Sequence, residues 1–131
     1  VIGFDSDPGK VSRHLREHRR VVYADAEDSG LWPRLRMDSV RAVLLAMPDV
    51  EAKVLAAEHL RGCGYRGVIT AVNAFPEECA KIEAAGADWT HNFYDGAGSG
   101  LAERTMLLLE SAAGQDAPTA DDANGTGLRH A

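Results

Sequence analysis

Arg41-Ala42-Val43-Leu44-Leu45-Ala46-Met47-Pro48-Asp49 is the stretch that decides the fold class of this chain. Its apolar run continues from Ala42 to Met47 without the alternation that a solvated face would impose. It therefore reads as a strand over Arg41–Met47 that is buried on both faces. Strands of that kind belong to parallel sheets covered by helices. Pro48 stops the strand, and the residues from Asp49 to Arg61 form an amphipathic helix that Gly62 and Gly64 end.

Working outward, short aliphatic runs keep alternating with helical stretches, the pattern of an α/β fold with a parallel sheet. Upstream, Val1–Phe4 is a short strand ended by the turn Asp5-Ser6-Asp7-Pro8-Gly9. Asp7 caps the following helix and Pro8 suits its first turn, with the helix running from Gly9 to His18. A strand over Arg20–Tyr23 leads into Ala24-Asp25-Ala26-Glu27-Asp28, and Ser29 caps a short helix through Leu35. Downstream, Gly67–Val72 is a second buried strand, Pro76–Ala85 a helix ended by Gly86, and Trp89–Asn92 a short strand. A last helix starts after Gly96-Ala97-Gly98-Ser99-Gly100, or just within it, and reaches Ala112. Residues 113–131 carry almost no large apolar side chain and cannot offset their ordering entropy. They read as a disordered acidic tail behind a domain spanning residues 1–112.

Composition narrows the function classes. With 131 residues, 45% of them hydrophobic, the chain has enough apolar surface for a core. A net charge of −6 argues against binding to a nucleic-acid backbone. The longest apolar run, Ala42–Pro48, is far short of the roughly 20 residues that a membrane span needs. A soluble, cytoplasm-facing domain without direct membrane insertion is the simplest reading. Cys63 and Cys79 match no zinc spacing and lie in helical segments, so they read as buried or half-buried thiols. His14 and His18 share a helix face, but no third ligand accompanies them, so no metal site is expected.

In open parallel sheets ligands gather at the carboxyl ends of the strands. Three such ends stand out. Asp5 follows the first strand, where its carboxylate either accepts both hydroxyls of a ribose or simply starts the turn before Pro8. Asp25 follows the second, where it either meets an adenine amino group or belongs to an ordinary strand-to-helix turn. Ala46-Met47-Pro48 closes the third, where small residues either let a flat base approach or form a tight turn.

Taken in order, Asp5-Ser6-Asp7-Pro8, Ala24-Asp25-Ala26-Glu27-Asp28 and Val43-Leu44-Leu45-Ala46-Met47-Pro48-Asp49 resemble the RCK or TrkA-N nucleotide-binding domains of potassium channels and antiporters. The likeness is greatest to the regulatory domain of KefB-type glutathione-regulated potassium efflux antiporters. Gly64-Tyr65-Arg66-Gly67, and Gly86-Ala87-Asp88 leading to Asn92-Phe93-Tyr94-Asp95, extend it to Glu110. The resemblance implies a Rossmann-like three-layer fold that binds NAD(H), AMP or a related adenine nucleotide and reports it to a transport pore. It would place Asp5 and Ser6 at the ribose, Asp25 and Ala26 at the adenine, and Ala46, Met47 and Pro48 on the floor of the site. It also implies a homodimer, a membrane transporter as partner, and Asn92, Tyr94 and the glycines beyond them at a contact surface. The chain departs from the family at Lys53, often Asn, and at Ala24, often Gly.

The family opens with a further strand and a Gly-x-Gly-x-x-Gly turn whose helix receives the pyrophosphate. No such unit precedes Val1 here, so the chain reads as lacking its first β-α unit. In the strand order 3-2-1-4-5-6 that strand is central, between the ones at Val1 and Arg41. A sheet lacking it must close the gap, borrow a strand or lose stability, and nucleotide binding is expected to be weak. Three other readings stay open. The chain resembles a response-regulator receiver, but its Val43-Leu44-Leu45-Ala46 strand has no phosphoacceptor Asp. A dehydrogenase fragment would need an acid or base over a nicotinamide, and neither His91 nor Tyr94 has a partner evident in sequence, so no enzyme is expected. A ligand-free structural or dimerisation domain needs no site at all.

Overall fold

The structure, a computed structural model, describes residues 1–115. The chain divides into two compact units, one over Val1–Asp95 and one beginning at Gly96. The first unit alternates strand and helix: β1 (Gly3–Asp5), α1 (Pro8–Arg16), β2 (Val21–Tyr23), α2 (Leu31–Arg34), a 3-10 turn (Met37–Ser39), β3 (Ala42–Leu45), α3 (Val50–Gly62), β4 (Val68–Asn73), α4 (Pro76–Ala84) and β5 (Trp89–Asn92). In the second unit the described residues form α5 (Ala97–Gln115).

Local chemistry sets the helix starts as the sequence suggests. Asp7 Oδ1 accepts the backbone N–H groups of Gly9 and Lys10 at 2.8 and 3.2 Å, and Pro8 takes the first helical position. Asp49 caps α3 by accepting from Ala52 N at 2.9 Å. Ser29 is not the cap of α2: Gly30 occupies that position, and Asp28 Oδ1 accepts the Gly30 N–H at 2.8 Å. The Asp28 carboxylate holds this turn one residue earlier than a serine cap would.

All strand pairs are parallel, but they form two sheets: β1–β2, and β3–β4–β5. β1 and β3 do not pair with each other, so the sheet breaks at the point where the strand order anticipated a gap. β3 is consequently an edge strand among the described residues. The expected burial of both its faces fails at Leu44, which is 74% exposed. Burial alternates along both β3 and β4, with Leu45, Ile69, Ala71 and Asn73 on the covered face. That face carries the core, where Leu45, Ile69 and Ala71 pack with Ala56, Ala57 and Leu60 of α3, Ile82 of α4, Trp32 and Tyr65. A strand covered on one side only has period-two burial whatever its composition.

The last helix, α5, starts at Ala97, just within the glycine run, one of the two starts expected, and continues past the expected end at Ala112 into residues 113–115, which were expected to belong to the tail. Helical hydrogen bonding tolerates glycine at a modest cost, so a glycine run need not stay outside a helix. Residues 116–131 of the expected disordered tail lie outside the described residues. Cys63 is exposed, because it sits at the C-cap just beyond the core-facing turn of α3, while Cys79 is half-buried.

Arg61, near the end of α3, ties the second sheet together. Its guanidinium donates to Gly86 O at 2.9 Å, to Tyr65 O at 3.0 Å and to Gly67 O at 2.9 Å. It also pairs with Asp88 Oδ2 at 3.0 Å, and that same oxygen accepts the Ile69 N–H at 2.8 Å. Gly86 makes the approach possible: its φ is +120°, and an added Cβ would lie 2.6 Å from Arg61 Cγ. Arg61→Ala should destabilise the protein by about 2 kcal/mol, since three carbonyls lose a charged donor, read as a lower urea midpoint at unchanged slope.

Tyr65 is buried and its hydroxyl donates to Val40 O at 3.1 Å. Burial, opposed by the nearby Arg61 charge, holds its phenol above the ordinary value. The proton is therefore bound more tightly in the folded state, and this contribution is intact below the unfolded value, about pH 10, and lost as pH rises beyond it. Urea titrations from pH 8 to 11 should show stability falling at the alkaline end. In Tyr65→Phe that part of the fall should be absent.

Candidate functional site

Because the strands within each sheet are parallel, their carboxyl ends share one edge of that sheet. Asp5 is the last residue of β1, pairs with Tyr23 of β2, and is half-buried. Its Oδ1 accepts the Asp7 N–H at 2.8 Å, so the turn role is realised. No hydrogen bond to Oδ2 is present among the described residues, which leaves one carboxylate oxygen open. Ser6 follows it, exposed.

Asp25 lies just past β2, on the neighbouring strand end. Ala24 N donates to Asp5 O at 3.1 Å, which carries the pairing of the two strands past their ends. Asp25 itself is exposed, and its Oδ1 accepts the Glu27 N–H at 2.9 Å. The carbonyl of the half-buried Ala26 is taken by the Trp32 indole N–H at 3.2 Å, which fixes this loop against α2. The structure thus brings Asp5, Ser6, Asp25 and Ala26 together at one end of the first sheet.

Ala46, Met47 and Pro48 follow β3 at the carboxyl edge of the other sheet. Ala46 and Pro48 are exposed, while Met47 is half-buried against the core. Asp49, next in line, is spent as the cap of α3. The break between the sheets falls between this group and the Asp5–Asp25 group.

Lys53 is a candidate that the strand-end reading did not include. It stands in the early part of α3, right after the β3 loop, and is only 2% exposed. No carboxylate or other acceptor for its ammonium is found among the described residues. Helical side chains lean toward the helix N-terminus, so its stem runs back toward the carboxyl end of β3. The signal was present in sequence: Lys53, Ala57 and Leu60 lie on one helix face, which puts a cation on an apolar stripe. Asn73, the last residue of β4, is 1% exposed. Its Nδ2 donates to Phe75 O at 2.8 Å and to Cys79 Sγ at 3.0 Å, while its buried Oδ1 has no partner among the described residues.

Among the described residues no group of His, Cys, Asp and Glu has the proximity to hold a metal ion. No described helix is long and apolar enough to cross a membrane.

The family model of the TrkA-N domain matches residues 1–92. None of the curated proteins matches the chain. Among solved structures, the NAD(P)-binding domain of an exopolyphosphatase-related protein from Archaeoglobus fulgidus superposes with a TM-score of 0.70 at 21% identity, over 82% of this chain and 80% of that one. The TrkA-N domain of the inner membrane protein ybaL from Escherichia coli gives 0.62 at 18% identity, over 81% of this chain and 75% of that one. The GsuK channel bound to NAD gives 0.58 at 20% identity, over 66% of this chain and 16% of the channel chain. At these identities the likenesses establish the fold, an α/β Rossmann-like architecture with parallel strands.

Proposed function

This chain belongs to the TrkA-N domain family, and on that premise we propose that it is a regulatory domain binding an adenine nucleotide, NAD(H) or AMP, at its strand ends. The observation that carries the reading is Asp5: a half-buried carboxylate at the end of β1, oriented by its own turn, with one oxygen open beside the Asp25 loop. Such a carboxylate accepts ribose hydroxyls, and the Asp25–Ala26 loop stands where the adenine would follow. Solved relatives in fold include an NAD(P)-binding domain and a channel with NAD bound, which supports the same ligand class.

In this reading Ala46, Met47 and Pro48 form the floor, and Lys53 supplies a cation toward the phosphates. The domain acts on a potassium transporter or antiporter of the KefB kind, at the cytoplasmic face of a membrane, and works as a homodimer. On this reading it is no enzyme, since His91 and Tyr94 are exposed and neither side chain pairs with an acid or base among the described residues. Ligand occupancy regulates the transporter only if the ligand distinguishes two arrangements of the dimer.

Calorimetric titration with NAD, NADH and AMP tests the reading. At least one should bind, and Asp5→Ala should weaken it by about tenfold or more, the loss of charge-assisted hydrogen bonds to a ribose. Silence from all three nucleotides would overturn it.

Lys53→Met gives a second expectation. Affinity for NAD should drop by about tenfold while affinity for adenosine, which has no phosphate, holds steady. The variant should melt no lower than the parent, because methionine keeps the buried stem volume of Lys53 and needs no partner for a charged end.

A further inference from the structure

A cavity of about 700 Å³ opens at the amino ends of β3 and β4, the opposite edge of the second sheet from Met47 and Asn73. Its lining residues precede those strands: Trp32 to Val40 lead into β3, and Cys63 to Gly67 lead into β4. Nothing in the nucleotide reading uses them.

The walls have a definite chemistry. Trp32 and Tyr65 are both at least nine-tenths buried, and each has its polar end tied inward, to Ala26 O and to Val40 O. Little of either ring therefore faces the cavity, and its apolar lining comes from the half-buried Leu35, Met37 and Val40. Arg36 and Arg66 line the same cavity, are exposed, and enter none of the ion pairs among the described residues. Asp38 is the one carboxylate in the lining, so the cavity carries an excess of one positive charge. That local sign runs against a chain whose net charge is −6. The neighbouring Arg61 cannot account for it, since its guanidinium is committed to Gly86, Tyr65, Gly67 and Asp88.

We propose that this cavity is a second ligand site, taking a small aromatic anion whose apolar body lies against Leu35, Met37 and Val40 and whose acidic group meets Arg36 and Arg66. Its volume falls in the range of about 300–1,000 Å³ typical of small-molecule sites, and apolar walls with a few charged groups are what such sites use. Guanidinium groups suit carboxylates, sulfonates and phosphates alike. Asp38 selects against ligands of high negative charge.

The full chain, labelled with nitrogen-15 and titrated with naphthalene-2-sulfonate, tests the proposal by nuclear magnetic resonance. Saturable shifts are expected at the amides of Met37, Asp38, Gly64, Tyr65 and Gly67. The neutral analogue naphthalene-2-methanol should bind about tenfold more weakly, and Arg36→Gln with Arg66→Gln should weaken the sulfonate by a similar factor. Both arginines are exposed, and an unchanged amide spectrum of the free double variant verifies its fold. Absence of saturable shifts at those amides, or equal affinity in the double variant, overturns the proposal. NAD titrated into the same sample reads out at Asp5, Asp25 and Met47, so the two sites succeed or fail separately.

Discussion

The second sheet depends on one guanidinium. Arg61 collects three carbonyls that have no place in a strand ladder, at the start of β4 and in the turn before β5, and joins them to a carboxylate that itself caps the Ile69 N–H. Unsatisfied polar groups are costly away from water, so these loops can lie close to the core only while the side chain is there. Gly86 is the matching concession in the backbone, since any side chain would occupy the space of the Arg61 stem. The ladders set the spacing of β3, β4 and β5, and the clamp fixes where β4 and β5 begin. The edge of the second sheet that carries the cavity inherits its position from it.

Much of this was legible in the sequence because the determinants are local. Asp7 with Pro8 is a start signal that acts through the nearest backbone N–H groups and operates as read, and Asp49, read as the first residue of its helix, is the cap one position before it. The order of strands and helices followed from periodicity, and the three strand ends fell where the chain turns. The break in the sheet falls between β1 and β3, which the strand order 3-2-1-4-5-6 would not set side by side without the family's first strand.

What sequence reading missed depends on partners far away in the chain. An unbroken apolar run such as Ala42–Met47 does not say whether both faces are covered, and Leu44 is exposed because only one is. The Arg61 clamp joins residues some 25 positions apart and leaves no local mark. The glycines from Gly96 left the start of the last helix open between two positions on propensity, and the helix begins just within the run. Lys53 was noticed as a departure from family habit, but its burial on the core face of α3 gives that departure a physical meaning. The roles of Asp5 and Asp25 divide in the same way: their turns are local and visible, and their ligand contacts are not.

The break between β2 and β3 bears on how the chain folds. Each sheet is built from one uninterrupted segment, with paired strands 18 residues apart in the first, as in Gly3 and Val21, and 26 and 19 apart in the second, as in Ala42 with Val68 and Thr70 with Trp89. Loop-closure entropy rises slowly with length, about 0.6 kcal/mol per doubling, so the three closures cost nearly the same. Pairing parallel strands at these separations closes a whole crossover before the ladder rewards it, which makes such sheets slow to form. The apolar core that rewards closure lies on the second sheet, with Leu45, Ile69 and Ala71 against α3 and α4, so the three-stranded unit carries the hydrophobic drive for assembly.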